Sequence, residues 1–486
     1  MGIRQKIRLI VVLLGVLPLC RFGNTEASPS EQEIGSTRFY ADEVAAAANA
    51  LIALTPPDQR HQLVLPFDSS ARYLGRETDQ TPSFCAVLEW CPIGWGLTQC
   101  SMTESQLVAM HKLLSLALSP GGYQTLLAIM NRQPIIGEIE GASDPTTVEK
   151  AAEKYPDARA PSIFDFVELA PVPPEVWYPT VGGADPSPSD PANVQAADVE
   201  WVWDAPGLAT RRTQFCDYAL AIYGTPGGAH WALRFEGHHI TVNLTFLREQ
   251  GTGQVSVHGT PLFFGAFPMI VPDGPVPATD LSQAWAWTKG QTLMFSTAHH
   301  LRKFWLALPA SVRSEAHIAS NFFPQAAPLL LSTPPPFMIS SLATTPEPTM
   351  IKQFPNVQLP GRDLSDEAVW HLKQAFDAYV SALNPTMATQ YLKQIEQIFK
   401  SKQETITLSW AGGALEDFGS EFYSYVAIGR LLLEFLQSEQ FSVEHDPVLR
   451  ANHVHGMLRD LAFDWTDPMA EHHRRYHIHH HHEPTP

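Results

Sequence analysis

Apolar side chains recur at every second position through residues 218–246, and that period commits this stretch to a β-sheet. Tyr218, Leu220 and Ile222 alternate, Gly224 to Gly228 turn the chain, and Trp231, Leu233 and Phe235 alternate again. The phase then changes, because the apolar residues are odd-numbered before Gly237 but even-numbered after it, at Ile240, Val242 and Leu244. A strand keeps alternate side chains on opposite faces, so a phase change within one strand predicts a β-bulge at Gly237-His238-His239. Beyond the bulge His239, Thr241 and Asn243 share the polar face, with His238 on or near the apolar one. Phe246 to Val257, turned at Gly251 and Gly253, predicts a hairpin that leads into a strand at Thr260 to Phe267.

Helical patterns lie on both sides of this region. Residues 41–54 form an alanine-rich helix ended by Pro56-Pro57, and Thr103-Glu104-Ser105-Gln106 is a capping box ahead of Leu107, Met110, Leu113, Leu114 and Leu118. Gly121-Gly122 should stop that helix, with another from Tyr123 to Met130. Asp280 to Leu308 reads as mainly helical, Ser365 caps a helix to Leu383, and Thr386 to Lys400 is another. Thr405 to Trp410 and Glu421 to Leu436 read as strands. Ile52-Ala53-Leu54-Thr55 with Arg60 is echoed by Leu306-Ala307-Leu308-Pro309 with Arg313, a weak similarity that a shared helix-end pattern explains without duplication. The expected fold class is α+β, a mixed and largely antiparallel sheet with flanking helices, as one large domain or two lobes. The division is an N-terminal lobe at 28–332 with a Pro/Asp/Gly-rich excursion at 171–209, a Pro-rich linker at 333–362, a C-terminal lobe at 363–477 and a tail at 478–486.

Arg4, Lys6 and Arg8 precede an apolar run from Leu9 to Cys20, with small residues placed for cleavage after Ala27. This reads as a secretory signal peptide, so the mature chain is expected to be secreted or periplasmic, and no later run reaches transmembrane length. A net charge of −18 argues against nucleic acid as a partner. In an oxidising compartment Cys85, Cys91, Cys100 and Cys216 allow three disulfide pairings, and a zinc knot ranks below them because the spacings match no zinc knuckle.

The chemistry concentrates in histidines. In Asn452-His453-Val454-His455-Gly456-Met457-Leu458-Arg459, imidazoles at i and i+2 leave one face of a strand together, a way to offer two nitrogens to one ion. Further ligands come from His239, His238, Asp460, Asp464, or His473 and His477, which sit one helical turn apart on an expected helix at Pro468 to His477. Arg459 suits a substrate clamp or a partner for Asp464, and Asn243 suits orienting a histidine or binding substrate. The site set is therefore His239, His453, His455, His238 and His473 for metal, with Asp464, Arg459 and Asn243 for catalysis. The bland alternative is half-buried histidines bonded to their neighbours. His299 and His300 read as surface residues, and the tail from His477 to His482 binds divalent metal in vitro whatever the rest does. There is no Gly-x-Ser-x-Gly elbow, glycine-rich phosphate loop or His-Glu-x-x-His helix.

Tyr218-Ala-Leu-Ala-Ile-Tyr-Gly-Thr-Pro226, Trp231-Ala-Leu-Arg-Phe-Glu-Gly-His-His-Ile-Thr-Val-Asn243 and Thr260-Pro-Leu-Phe-Phe-Gly-Ala266 resemble the domain of unknown function 3500 family. So do Gly429-Arg-Leu-Leu-Leu-Glu434, Asn452-His-Val-His455 with Arg459-Asp460, and Glu471-His-His-Arg-Arg-Tyr-His477. Where the family pattern has Arg-Asp-Pro-x-Asn-Asp, this chain has Arg459-Asp460-Leu461-Ala462-Phe463-Asp464. The resemblance implies membership rather than an activity. From the residues themselves the expected function is metal-dependent hydrolysis of a small molecule or peptide, with a divalent transition metal, zinc favoured over iron or copper, activating water. Asp464 or Glu236 would act as general base. The rivals are a non-haem iron or copper oxidoreductase, using two histidines and a carboxylate such as Asp460, and a non-catalytic extracytoplasmic binding protein.

Overall fold

A computed structural model of the protein describes residues 31–69, 72, 96–130, 218–237, 239–249, 251–271, 292–318, 355–401, 403–438 and 451–464. The fold is α+β. Helices α1 (Glu31–Leu54), α2 (Arg60–Leu63), α3 (Glu104–Ala117) and α4 (Pro120–Met130) precede the first run of strands. Helices α5 (Phe295–Leu306), α6 (Ala310–Glu315), α7 (Asp366–Val380) and α8 (Pro385–Ser401) precede the second. The capping box forms as expected, with Gln106 N donating to Thr103 Oγ1 at 3.4 Å and Thr103 N to Gln106 Oε1 at 2.7 Å. Ser365 Oγ likewise accepts from Ala368 N, at 3.1 Å. Gly121-Gly122 does not end α3. Those glycines open α4, because a Cβ on Gly122 would lie 2.0 Å from the Ala382 carbonyl oxygen and only a bare backbone lets the two segments approach.

The strands are β1 (Val64–Leu65), β2 (Leu97–Thr98), β3 (Ala219–Gly224), β4 (His230–Gly237), β5 (Ile240–Arg248), β6 (Val255–His258) and β7 (Leu262–Ala266), then β8 (Val357–Pro360), β9 (Thr405–Gly412), β10 (Phe422–Ile428), β11 (Leu431–Ser438) and β12 (His453–Asp460). They form one sheet in the order β1-β3-β4-β5-β7-β12-β11-β10-β9-β8, with β2 beside β3 and β6 beside β5. The expected bulge is a reverse turn instead. Gly237 pairs with Ile240, so β4 and β5 are joined by a tight turn in which His239 stands, with no inserted residue in either strand. Paired residue numbers across such a turn sum to an odd number, which moves the apolar set from odd to even positions. The hairpin at β5 and β6 forms as expected, Thr245 opposite His258 and Arg248 opposite Val255. Trp231, Leu233, Phe235, Ile240, Val242, Leu244, Val454 and Leu458 are buried in the main core on one face, while Thr241, Asn243, His455, Met457 and Arg459 alternate onto the other.

The two strand runs join at the centre of the sheet, where β7 pairs antiparallel with β12 and Leu262 faces Leu458. Both halves follow one plan, and individual bonds repeat. Arg60 Nε donates to Thr55 O at 2.9 Å, and Arg313 Nη1 donates to Leu308 O at 2.6 Å, so the helix-end echo has a structural counterpart. Val64 pairs parallel with Ile222, and His317 with Trp410. Gly265 N donates to His239 O at 2.8 Å, and Leu461 N to Arg430 O at 2.7 Å. The helix pairs meet in the same reciprocal way. Leu118 bridges Leu383, Ser119 N donates to Ala382 O at 2.9 Å, and Asn384 N donates to Ala117 O at 3.3 Å. Self-complementary contact of this kind is the signature of an isologous two-fold interface, here within one chain.

His111 on α3 bonds through Nδ1 to Tyr123 Oη of α4 at 3.0 Å, and burial lowers its pKa to about 4. The unfolded chain therefore takes this proton first as pH falls. The stabilising contribution is complete above the ordinary value near 6.5 and is lost as pH drops towards 4, by roughly 3 kcal/mol. Thermal unfolding followed against pH should show a shallower loss over that window in His111→Gln than in the unaltered chain. Equal slopes would contradict the assignment.

Candidate metal centre

Three strands assemble the centre. His239 stands in the β4–β5 turn with φ 65°, a left-handed conformation uncommon for a residue with a side chain. His453 and His455 leave β12 on one face, and β7 runs between β5 and β12 with Gly265 opposite His455. Because Gly265 has no side chain, the rings from either side close over β7. A Cβ there would fall 2.6 Å from His239 Cδ2 and 2.9 Å from His455 Cδ2. Nε2 of His239 lies 2.7 Å from Nε2 of His453, and one nitrogen from each of the three rings falls within 4.8 Å of the others. Phe263 meets His455 edge-on at 5.3 Å between centroids, and Phe267 lies 5.5 Å from His453. His239 and His455 are buried while His453 is half-buried, so approach is past His453.

Behind the strand, on the core face, a Cβ on Gly456 would meet Tyr379 Oη at 1.7 Å and Met294 Cε at 2.9 Å. The rings are thus set by two glycines, one on each face of the sheet. Gly265→Ala is expected to force the rings apart, weakening metal binding by at least about 10-fold and costing about 1–3 kcal/mol through overpacking. Metal titration together with thermal unfolding of the variant reads both effects, and unaltered metal affinity would mean that ring placement does not depend on this glycine.

The remaining candidate residues lie elsewhere. Asn243 Nδ2 donates to Pro261 O at 2.8 Å, a buried side-chain bond from β5 to the residue that precedes β7. Arg459 Nε reaches Asp464 Oδ2 at 2.6 Å, both side chains buried, and Asp464 Oδ1 also accepts from Asp460 N at 3.0 Å. Burial pushes the Asp464 carboxyl up, against the opposing pull of Arg459. This pair stands four residues beyond His455 on β12, about 13 Å away at strand rise. Asp460, about 17 Å along, is bound by Arg430 at 3.1 Å. Arg430 occupies, in the β10–β11 turn, the place His239 holds in the β4–β5 turn, and its guanidinium also covers the Phe463 ring at 4.6 Å. One end of the central strand pair therefore carries imidazoles and the other a network of buried ion pairs. His238 and His473 lie outside the described residues, as do residues 1–30, Cys85, Cys91 and Cys216.

Glu236, the other expected base, is on the same hairpin as His239, three residues before it in the chain. It sits opposite Thr241 on β5, one row in from His239, and is ion-paired with Arg234. Sequence reasoning missed Gly265, Gly456 and Tyr379. The available signal was an isolated glycine inside each apolar strand, a mark of close approach by another group.

The donor set fits a transition metal. Tetrahedral ligation at about 2.0–2.1 Å spaces nitrogens about 3.3 Å apart, so the His239 and His453 rings need separate by only about half an ångström. Among the described residues the cluster holds three imidazoles and no carboxylate, a set that suits zinc or copper better than the two-histidine, one-carboxylate arrangement of non-haem iron.

Among the described residues, no helix is long and apolar enough to cross a membrane. The chain shows no significant match to a curated protein or to a solved structure. Residues 38–467 match the family described as protein of unknown function (DUF3500). That span takes in both halves of the sheet and all three clustered histidines, and the chain belongs to this family.

Proposed function

We propose that His239, His453 and His455 hold one divalent transition metal ion, zinc by preference, and that the protein is a metal-dependent hydrolase acting outside the cytoplasm. The convergence of three imidazole nitrogens within 4.8 Å, from segments 214 residues apart, carries this reading. A divalent ion on three neutral imidazoles supplies Lewis acidity and lowers the pKa of a coordinated water to about 7. The chain supplies the rest. Phe263 and Phe267 pack against two of the rings and fix their positions. The half-buried edge at His453 admits a small molecule or peptide. Glu236, ion-paired with Arg234 one row in from His239, is the carboxylate that would take a proton from water on the bound ion. The basic n-region and apolar run before Ala27 support export to the periplasm or exterior.

The test begins with metal analysis of a full-length chain carrying His479→Ser, His480→Ser, His481→Ser and His482→Ser, so that the contiguous run of tail histidines is removed. One zinc per chain, with chelator-sensitive hydrolysis of model esters, amides or phosphates restored by zinc, is expected. Glu236→Gln should lower kcat by about 100-fold with metal content unchanged. Iron or copper with redox turnover would overturn hydrolysis in favour of oxidation, and a metal-free, inert protein would leave a binding role.

A further inference from the structure

A second histidine cluster lies on the helical layer, away from the sheet centre. Helices α5 and α7 pack together, and Nδ1 of His300 on one lies 3.1 Å from Nδ1 of His371 on the other. His299 adjoins His300, with ring centroids 5.2 Å apart. Glu367 precedes His371 by one helical turn on the same face and acts on its charge. Trp370 covers the pair, 4.7 Å from the His371 ring and 5.3 Å from that of His300, yet is 53% exposed.

We propose that His300 and His371 form a second metal site, a two-imidazole clamp across α5 and α7 that takes one divalent transition ion with solvent completing its shell. The Nδ1 separation is close to the roughly 3.3 Å that two ligands of one tetrahedral ion require. Both helices are tied to the sheet separately, α5 by the Trp305 Nε1 bond to Ser424 Oγ at 2.9 Å and α7 by Tyr379 Oη donating to the Phe264 carbonyl at 3.5 Å, so the two nitrogens are held in place before an ion arrives. Burial, then neighbouring histidines, lower the basicity of His300, and burial lowers that of His371 against the pull of Glu367. Neutral rings are the ligand form. An imidazole–imidazole hydrogen bond alone would also bring the rings together, and metal titration separates the two. This site does not depend on the histidine centre of the sheet.

The experiment titrates Cu2+ into the full-length chain with the four tail histidines replaced, following the part of the tryptophan emission that Trp370→Phe removes. That emission should be quenched at one equivalent, and His300→Ala and His371→Ala should each raise the midpoint at least about 10-fold. His455→Ala should leave it in place. Copper bound at saturation should fall by one ion per chain in His300→Ala. If the midpoint and stoichiometry are unmoved in His300→Ala, the pair is a hydrogen bond and no site. If quenching instead follows His455, the signal belongs to the sheet centre and the clamp is refuted. Should His371→Ala fail to fold, the more accessible His300→Ala alone decides.

Discussion

His455→Ala, His453→Ala and His239→Ala, each in the chain with silenced tail histidines, should weaken zinc binding by more than about 100-fold. The comparison is the 10- to 100-fold typical of losing only an outer-shell partner, and here a ligand itself is lost. His453→Ala is the cleanest of the three, because its ring is half-buried and its removal leaves little cavity. His455→Ala also removes an edge-on contact with Phe263 and should cost stability as well. Metal content after dialysis, with circular dichroism to confirm folding, reads the result. A second signature accompanies it. An ion bound only by the folded chain stabilises it by about 2.7 kcal/mol at a hundred times Kd, so zinc should raise the Tm of the tail-silenced chain but not of these variants. Three folded variants that retain full zinc affinity would remove the centre altogether.

Gly122→Ala should be among the most destabilising single-methyl additions in this protein. The new Cβ would stand 2.0 Å from the Ala382 oxygen and 2.6 Å from its carbon, and both are backbone atoms. Neither can swing aside as a side chain would. Ala382 O also accepts from Ser119 N at 2.9 Å, so relief would break one of the reciprocal bonds that join the two halves. The expected loss is about 3 kcal/mol or more, at or beyond the upper end for overpacked sites. Gly121→Ala is the control, since its Cβ would meet only Ser119 Oγ, at 3.9 Å. Chemical denaturation of both variants tests this, and similar stabilities would mean that the helix pairs do not meet as closely as described.

The Thr103 capping box, the Ser365 cap, the period-two runs and the hairpin at Gly251 and Gly253 were all legible, because each depends on residues within a turn or two of one another. The phase change at Gly237 was also visible but was assigned to the wrong device. A bulge and a tight hairpin turn shift apolar parity alike, and only the pairing of Gly237 with Ile240 separates them. The weak echo between Thr55-Arg60 and Leu308-Arg313 falls short of a repeat when read as letters. It becomes one when the same hydrogen bond, the same parallel pairing and the reciprocal contacts at Leu118 and Leu383 are seen together.

The sequence by itself determined that His453 and His455 would leave one face of a strand together and that the chain would build a mixed sheet around them. Only tertiary structure decided which imidazoles meet. Pairing of β7 with both β5 and β12 carries His239 to His453 across 214 residues, while strand rise carries Asp460 and Asp464 away from them into ion pairs with Arg430 and Arg459. Side-chain direction is a local property of period two, whereas the order of strands in a sheet is set by burial summed over the whole chain, which no short stretch contains.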